Sequence, residues 1–373
     1  MNICIVTRMD YRNYGNRLQN YALKELFLDE GWQSLSGLIV YSKQDWVSLS
    51  TGISSIVKRI MPFNLYKNRI NREIQENSMK RENDLRRKEF VLFTEKNISA
   101  LPVFIVKDGQ HLFKMLSAYH FDYYVAGSDQ VWNPVFGGRD YEFLTFAPKS
   151  KRLSFAASFG VDAIPDSMVA RFRSNLKEMR YISVREAQGV KLAEKLTRRE
   201  DIDLTLDPTL LLSRERWEIL LNNYSLCKPV EYIATYFLGS IPKAVIEFAK
   251  KQNLPILSLN NKEDEALYNT DPIGFLSVIH DAAYVLTDSF HGMAFSIKFH
   301  KEFYVFRRSE SPTEGNMFSR LGDLLDALDL TDRIQGDSEV TLSDRISQKK
   351  WNSIDNYLSL QKEYSMKRFK QSM

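Results

Sequence analysis

Beyond residue 230, short apolar runs and helical stretches alternate almost without a break. Strands are expected at 232–237, 256–258, 283–286 and 302–306, and helices at 243–252, 272–281 and 292–299. Continuously apolar strands belong to sheets covered on both faces, and strand–helix–strand repeats join parallel strands through right-handed crossovers. Such a sheet needs helices on both sides, so this half of the chain must be an α/β domain. Ligands in these domains sit beyond the carboxyl ends of the strands.

The first half repeats the theme more loosely. A buried strand at 2–7 runs into a polar loop at 10–16, and Leu18, Tyr21, Ala22 and Leu26 then recur at helical spacing. Further strands are expected at 123–126, 153–158, 181–184 and 204–206. At 373 residues the chain exceeds one core of about 150 residues. The expectation is two Rossmann-like domains, 1–200 and 201–341, facing a cleft, with the boundary between about 200 and 225. A helical tail, 342–373, is expected to cross back to the first domain. Residues 51–95 stand apart as a basic helical insertion into the first domain. Lys58, Arg59, Lys67, Arg69, Arg72, Lys80, Arg81, Arg86, Arg87 and Lys88 suit a solvated face there, or contact with an anionic membrane surface.

Composition excludes several classes. The chain is 44% hydrophobic and 12% aromatic, too apolar for a disordered protein. A net charge of +4 is too small for a dedicated nucleic-acid binder. Its two cysteines, Cys4 and Cys227, give neither a disulfide framework nor a metal-ligand spacing, and they fit a reducing cytoplasm. No apolar run reaches the ~20 residues of a membrane span, and the first residues read as a buried strand rather than a secretory signal. There is no Walker A, Gly-x-Gly-x-x-Gly, His-Glu-x-x-His or Cys-x-x-Cys pattern.

Chemistry is concentrated where expected strands end. Thr287-Asp288-Ser289-Phe290-His291-Gly292 turns a strand into a helix whose first amides and positive dipole end suit an anion. His291 can exchange a proton near neutral pH. Helix capping by Asp288 or Ser289 is the simpler alternative, but it does not explain three polar residues gathered in one turn. In the loop at 13–20, Gly15 permits close backbone approach, and Asn16 and Gln19 can read hydroxyl groups. A plain glycine turn with Asn16 as helix cap serves equally well. Ser128, Asp129, Trp132 and Asn133 follow the strand at 123–126 and combine a carboxylate, amide and indole suited to a sugar. Trp132 as a core anchor and Asp129 as a cap stay open. Arg185 is a fixed cation at another strand end, with an ion pair to Glu186 as its alternative. Arg307, Arg308 and Arg320, with Asn316 among them, gather positive charge after the last clear strand.

Six blocks, 13–19, 127–134, 156–160, 183–186, 207–209 and 288–292, together resemble the polysaccharide pyruvyl transferase family in composition and order. The resemblance spans roughly residues 3–330 and omits the basic insertion and the tail. It implies a glycosyltransferase-B-like fold and transfer of pyruvate from phosphoenolpyruvate to two hydroxyls of one sugar. The products are a cyclic ketal and phosphate. Phosphoenolpyruvate is a co-substrate, and no metal or organic cofactor is implied. The acceptor would be a polysaccharide precursor, often lipid- or nucleotide-linked, met in the cytoplasm or at the inner membrane face. On this pattern His291 and Asp129 are the catalytic candidates. Arg185, Ser289, Phe290, Gly292, Asn316 and Arg320 fall on the donor side; Gly15, Asn16, Gln19, Ser128, Trp132 and Asn133 fall on the acceptor side. Many family members carry Arg-Leu-His where this chain has Ser289-Phe290-His291, so either Arg307, Arg308 or Arg320 supplies the missing positive charge or the donor binds differently here. A sugar-nucleotide glycosyltransferase of the same architecture and a non-catalytic sugar-binding protein are the competing readings.

Overall fold

The computed structural model describes residues 1–8, 10–37, 39–40, 85–98, 104–105, 109–135, 138–222, 224–307 and 315–373. Most of the basic stretch 51–95 lies outside these residues.

The first lobe is built on a parallel sheet. Strands β1 (Asn2–Val6), β2 (Gln33–Gly37), β3 (Tyr123–Ala126) and β4 (Arg152–Ser154) lie in the order β2-β1-β3-β4. Strands β5 (Ile182–Val184) and β6 (Ile202–Leu204) pair in parallel and join β4 through single bridges, Leu153 with Tyr181 and Ala157 with Val184. Because β6 belongs to this sheet, the first lobe continues past residue 200. A two-residue parallel pair, Ile39–Val40 with Phe104–Ile105, stands apart. The second lobe carries β7 (Ile233–Tyr236), β8 (Ile256–Ser258), β9 (Tyr284–Thr287), β10 (Glu302–Phe306) and β11 (Ile334–Gln335). Their order is β8-β7-β9-β10-β11, all parallel.

Both sheets thus reverse direction of growth beside their first strand. The reversal falls between β1 and β3 in one lobe and between β7 and β9 in the other. Strand order reversal opens a crevice because the flanking crossovers run to opposite faces. The two crevices face each other.

Sequence explains the helices that line them. Helix α1 (Tyr14–Asp29) starts where the Asn13 side chain accepts from Asn16 N at 3.1 Å. Its Tyr14 crosses to the second lobe, stacking on Phe275 at 4.5 Å and donating its hydroxyl to Thr270 O. In helix α2 (Leu85–Asn97) Lys88 is exposed as a solvated face requires, but two of its neighbours are not. Arg86 and Arg87 are buried, and the Arg86 guanidinium lies 4.6 Å from both the Tyr14 and Tyr268 rings. Cation–π packing of this kind lets the arginine stem and head serve as core. Helices α3 (Ala187–Thr197), α4 (Pro208–Leu211), α5 (Pro272–Asp281) and α6 (Phe290–Lys298) follow.

The last helix, α7 (Gln348–Gln371), touches both lobes. Near its start Trp351 stacks on His300 at 4.7 Å, and Asp355 accepts from His300 Nε2 at 3.0 Å. Near its end Phe369 sits wholly buried against Phe27, Trp32, Phe155 and Tyr181 of the first lobe. Arg368 pairs with Asp203 at 3.0 Å and Lys362 with Asp29 at 3.2 Å.

Candidate active site at the facing crevices

Four segments converge between the lobes. After β3 the chain turns sharply at Ser128-Asp129, where Asp129 adopts a left-handed backbone with φ of 71°. Aspartate tolerates that region better than most residues, and such outliers concentrate at functional sites. Its carbonyl accepts from Val131 N and Ser158 N, which fixes the turn. The carboxylate accepts from Asn16 Nδ2 at 2.5 Å.

Arg185, just past β5, fills the centre. Its side chain is only 4% exposed and meets Asp207 at 2.5 Å, Asp129 at 3.6 Å and Glu186 at 3.7 Å. It also donates to Ser128 Oγ at 3.4 Å and lies over the Phe290 ring. Burial by itself would weaken the guanidinium's hold on its proton, but the three carboxylates outweigh it and raise the pKa. Burial likewise pushes the Asp129 carboxyl up, and Arg185, the Asn16 amide and His291 override it to hold the group at about 2. Asp207 is lowered in the same way, against its burial, by Arg185 and His291.

From the second lobe, the turn after β9 delivers His291 into this cluster. Its Nε2 stands 3.8 Å from Asp207 Oδ2. Its other face rests on the first turn of α1: a Cβ at Gly15 would lie 1.9 Å from His291 Nδ1. Gly15 therefore does allow close approach, and what approaches it is the imidazole of the opposite lobe. The remaining turn residues build the turn itself. Ser289 caps α6, accepting from Gly292 N, and Gly292 leaves room for Thr287, whose Oγ1 would sit 2.4 Å from an added Cβ. Asp288 reaches back to accept from Leu238 N at 2.7 Å and Gly239 N at 2.9 Å. Consecutive amides beyond a first strand are natural phosphate ligands, and here a carboxylate already occupies them.

A family model described as polysaccharide pyruvyl transferase matches residues 13–310. The chain belongs to this polysaccharide pyruvyl transferase family. No curated protein matches it. A solved structure from Listeria monocytogenes described as a UDP-N-acetylglucosamine 2-epimerase is similar in fold, with 8% identity and a TM-score of 0.50 over 99% of this chain and 95% of that one. The UDP-GlcNAc 2-epimerase of Neisseria meningitidis is also similar (9% identity, TM-score 0.48, all of both chains). So is the ADP-heptose heptosyltransferase II of E. coli (10% identity, TM-score 0.38, 97% of this chain and 100% of that one). The chain is a glycosyltransferase-B-like α/β protein.

Within this family member the candidate residues separate into groups. Asp129, Ser128, Arg185, His291, Phe290, Gly15 and Asn16 meet in one cluster. Asn16, however, is 2% exposed and its Oδ1 accepts from Asp10 N and the Arg17 guanidinium, so its amide braces the loop. Gln19, on α1, is wholly buried and donates to Asn16 O at 2.9 Å. Trp132 is also wholly buried, stacked on Phe143 with its indole N–H donating to Glu142 O. Asn133 folds back on Gln130 and Val135 N. The acceptor-side expectation for Gln19, Trp132 and Asn133 gives way to packing, because all three are buried and the Trp132 indole and Asn133 amide are bonded internally. Arg185 differs from expectation too: its charge is matched by carboxylates already present. Arg307 is exposed beyond β10. Arg308 and the side chains of Asn316 and Arg320 lie outside the described residues.

Asp207 falls in the block 207–209 but is not among the site residues expected from sequence. Asp-Pro-Thr reads as an ordinary helix start, and Asp207 does cap α4 through Thr209 N. Only the fold shows that its second oxygen faces Arg185 and His291. Among the described residues no group of His, Cys, Asp and Glu could hold a metal ion, and no helix is long and apolar enough to cross a membrane.

Proposed function

We propose that the chain transfers pyruvate from phosphoenolpyruvate to two hydroxyls of one sugar, forming a cyclic ketal and releasing phosphate. One observation carries this reading in a member of a pyruvyl transferase family. His291 is placed at the meeting of two facing crevices, beside the carboxylates of Asp207 and Asp129. Carboxylates held ionised by an imidazole in turn favour its charged form. An imidazolium is the acid this chemistry needs, since the enol carbon must take up a proton before a hydroxyl can add. Of the two hydroxyl protons released, one ends on the new methyl group and the other on phosphate.

Asp129 then serves differently from a general base. A carboxyl held at about 2 takes up protons poorly at neutral pH, but its charge stabilises the oxocarbenium-like centre that follows protonation. Arg185 orders the carboxylates. The donor's own anions are assigned to the first turn of α6 and to the arginines after β10, Arg307, Arg308 and Arg320. The acceptor is assigned as a surface-polysaccharide precursor, lipid- or nucleotide-linked, and the reaction calls for no resident cofactor. A sugar-nucleotide transferase is less well served, because Asp288 blocks the amides of Leu238 and Gly239.

The test is incubation with phosphoenolpyruvate and galactosides, mannosides or N-acetylglucosaminides, following phosphate release and a pyruvate-sized gain in acceptor mass. His291→Ala abolishes both while thermal unfolding stays near wild type. Turnover close to wild type in that variant refutes the assignment.

A further inference from the structure

We infer that Asp207 is a positioning residue for His291: through its carboxylate the first lobe fixes the orientation and charge of an imidazole carried by the second. The inference rests on His291 handling the reaction's protons, as proposed above, but its primary test does not depend on that activity.

Asp207 stands on the segment between β6 and α4, where the chain leaves one lobe for the other. Its side chain is wholly buried. Oδ1 accepts from Thr209 N at 3.0 Å and Thr209 Oγ1 at 2.8 Å. Oδ2 accepts from Arg185 Nη1 at 2.5 Å and Ser128 Oγ at 3.2 Å. Four donors on one carboxylate leave it no rotational freedom. A residue that only capped a four-residue helix would need Oδ1 alone. Here the second oxygen is aimed into the cleft, and His291 Nε2 stands 3.8 Å from it. That separation is too long for a hydrogen bond but still within ion-pair range, so the coupling is chiefly electrostatic.

Asp129, from the turn after β3, is also coupled to the imidazole, and Arg185, at the end of β5, lies over the neighbouring Phe290 ring. Asp129 is turned toward the Asn16 amide and Arg185 Nη2. Asp207 Oδ2 lies in ion-pair range of Nε2. Gly15 closes the Nδ1 side with backbone, which leaves the ring little room to turn away. A ring held on one side by backbone and drawn on the other by a fixed charge has its orientation set from the first lobe.

Asp207→Asn keeps the shape and the Thr209 contact and removes the charge. The readout is NMR titration of the His291 ring, its resonance identified by its loss in His291→Ala. The titration midpoint should fall by about one pH unit or more, given a unit charge near 4 Å in a partly buried site. In the active protein the alkaline limb of the rate profile should move by the same amount, with kcat falling more than KM rises. A midpoint within about 0.2 units of wild type overturns the inference. If Asp207→Asn does not fold, Asp207→Glu keeps the charge and displaces it by one methylene. A shifted midpoint with lower kcat then supports the role, and a wild-type midpoint and rate overturn it. Should the wild-type protein release no phosphate from phosphoenolpyruvate, the function proposed above fails, and the titration still decides the role of Asp207.

Discussion

Gly15→Ala separates catalytic geometry from stability. The added methyl would lie 1.9 Å from His291 Nδ1 and 2.2 Å from Cγ, where ordinary contact begins near 3.4 Å. The imidazole must therefore retreat by about 1.5 Å, or the lobes must part. The obstacle is a side chain rather than backbone, so the fold can accommodate it. Alanine in place of glycine favours a helix by up to about 1 kcal/mol, and local overpacking costs about 1–3 kcal/mol. Net stability should stay within about 2 kcal/mol of wild type. Displacing a catalytic group by about 1 Å costs on the order of 100-fold in rate. The expected result is a thermal unfolding temperature within a few degrees of wild type and pyruvyl transfer reduced about 100-fold. Full activity in this variant would show that His291 does not rest on α1 in the reacting state, and would remove the basis for placing the two crevices in one active site.

Three further outcomes follow from buried groups. Burial raises the Glu142 carboxyl from 4.5 to about 7, against the help of Arg139 N. A raised folded pKa gives stability that is present below 4.5 and lost as pH rises through 7, so Glu142→Gln should gain up to about 3 kcal/mol at pH 8 and nothing at pH 4 in denaturant titrations. Asp129 has the opposite sign: its stabilisation is present above 3.8 and lost as pH falls toward 2. Asp129→Asn should lower neutral-pH stability by about 2 kcal/mol and flatten that acid limb in urea melts across the range. Phe369→Ala empties an aromatic pocket that is fully buried, and should cost about 3–5 kcal/mol in the same assay.

The second lobe was largely legible because its strands are apolar runs and its helices carry clear starts: 243–252 and 272–281 match the observed helices residue for residue. Asp271 capping Gly274 N before Pro272 is a signal any sequence shows. Strand β2 escaped notice because Gln33-Ser34-Leu35-Ser36-Gly37 has no apolar run, yet it pairs with β1 along its whole length. The Ser36 hydroxyl there accepts from the Asn20 amide, a partner that a linear reading cannot see. The site divided the same way. Strand ends announced Asp129, Arg185 and His291, but whether a polar residue faces the cleft or the core depends on neighbours far away in the chain. Trp132 and Gln19 look inviting in sequence and are packed inside; Asp207 looks like a cap and also meets Arg185 and His291.

Helix α7 spans 24 residues, about 36 Å at 1.5 Å per residue, with Trp351 seated on one lobe and Phe369 on the other. The lobes are thus not interchangeable parts. A chimera that takes its second lobe from a relative by crossing over once near residue 205 would import a foreign terminal helix into the pocket of Phe27, Trp32, Phe155 and Tyr181. Recombination of acceptor and donor specificities in this architecture calls for two crossovers, the second before residue 348, so that the brace keeps at least the pocket it was shaped to fill.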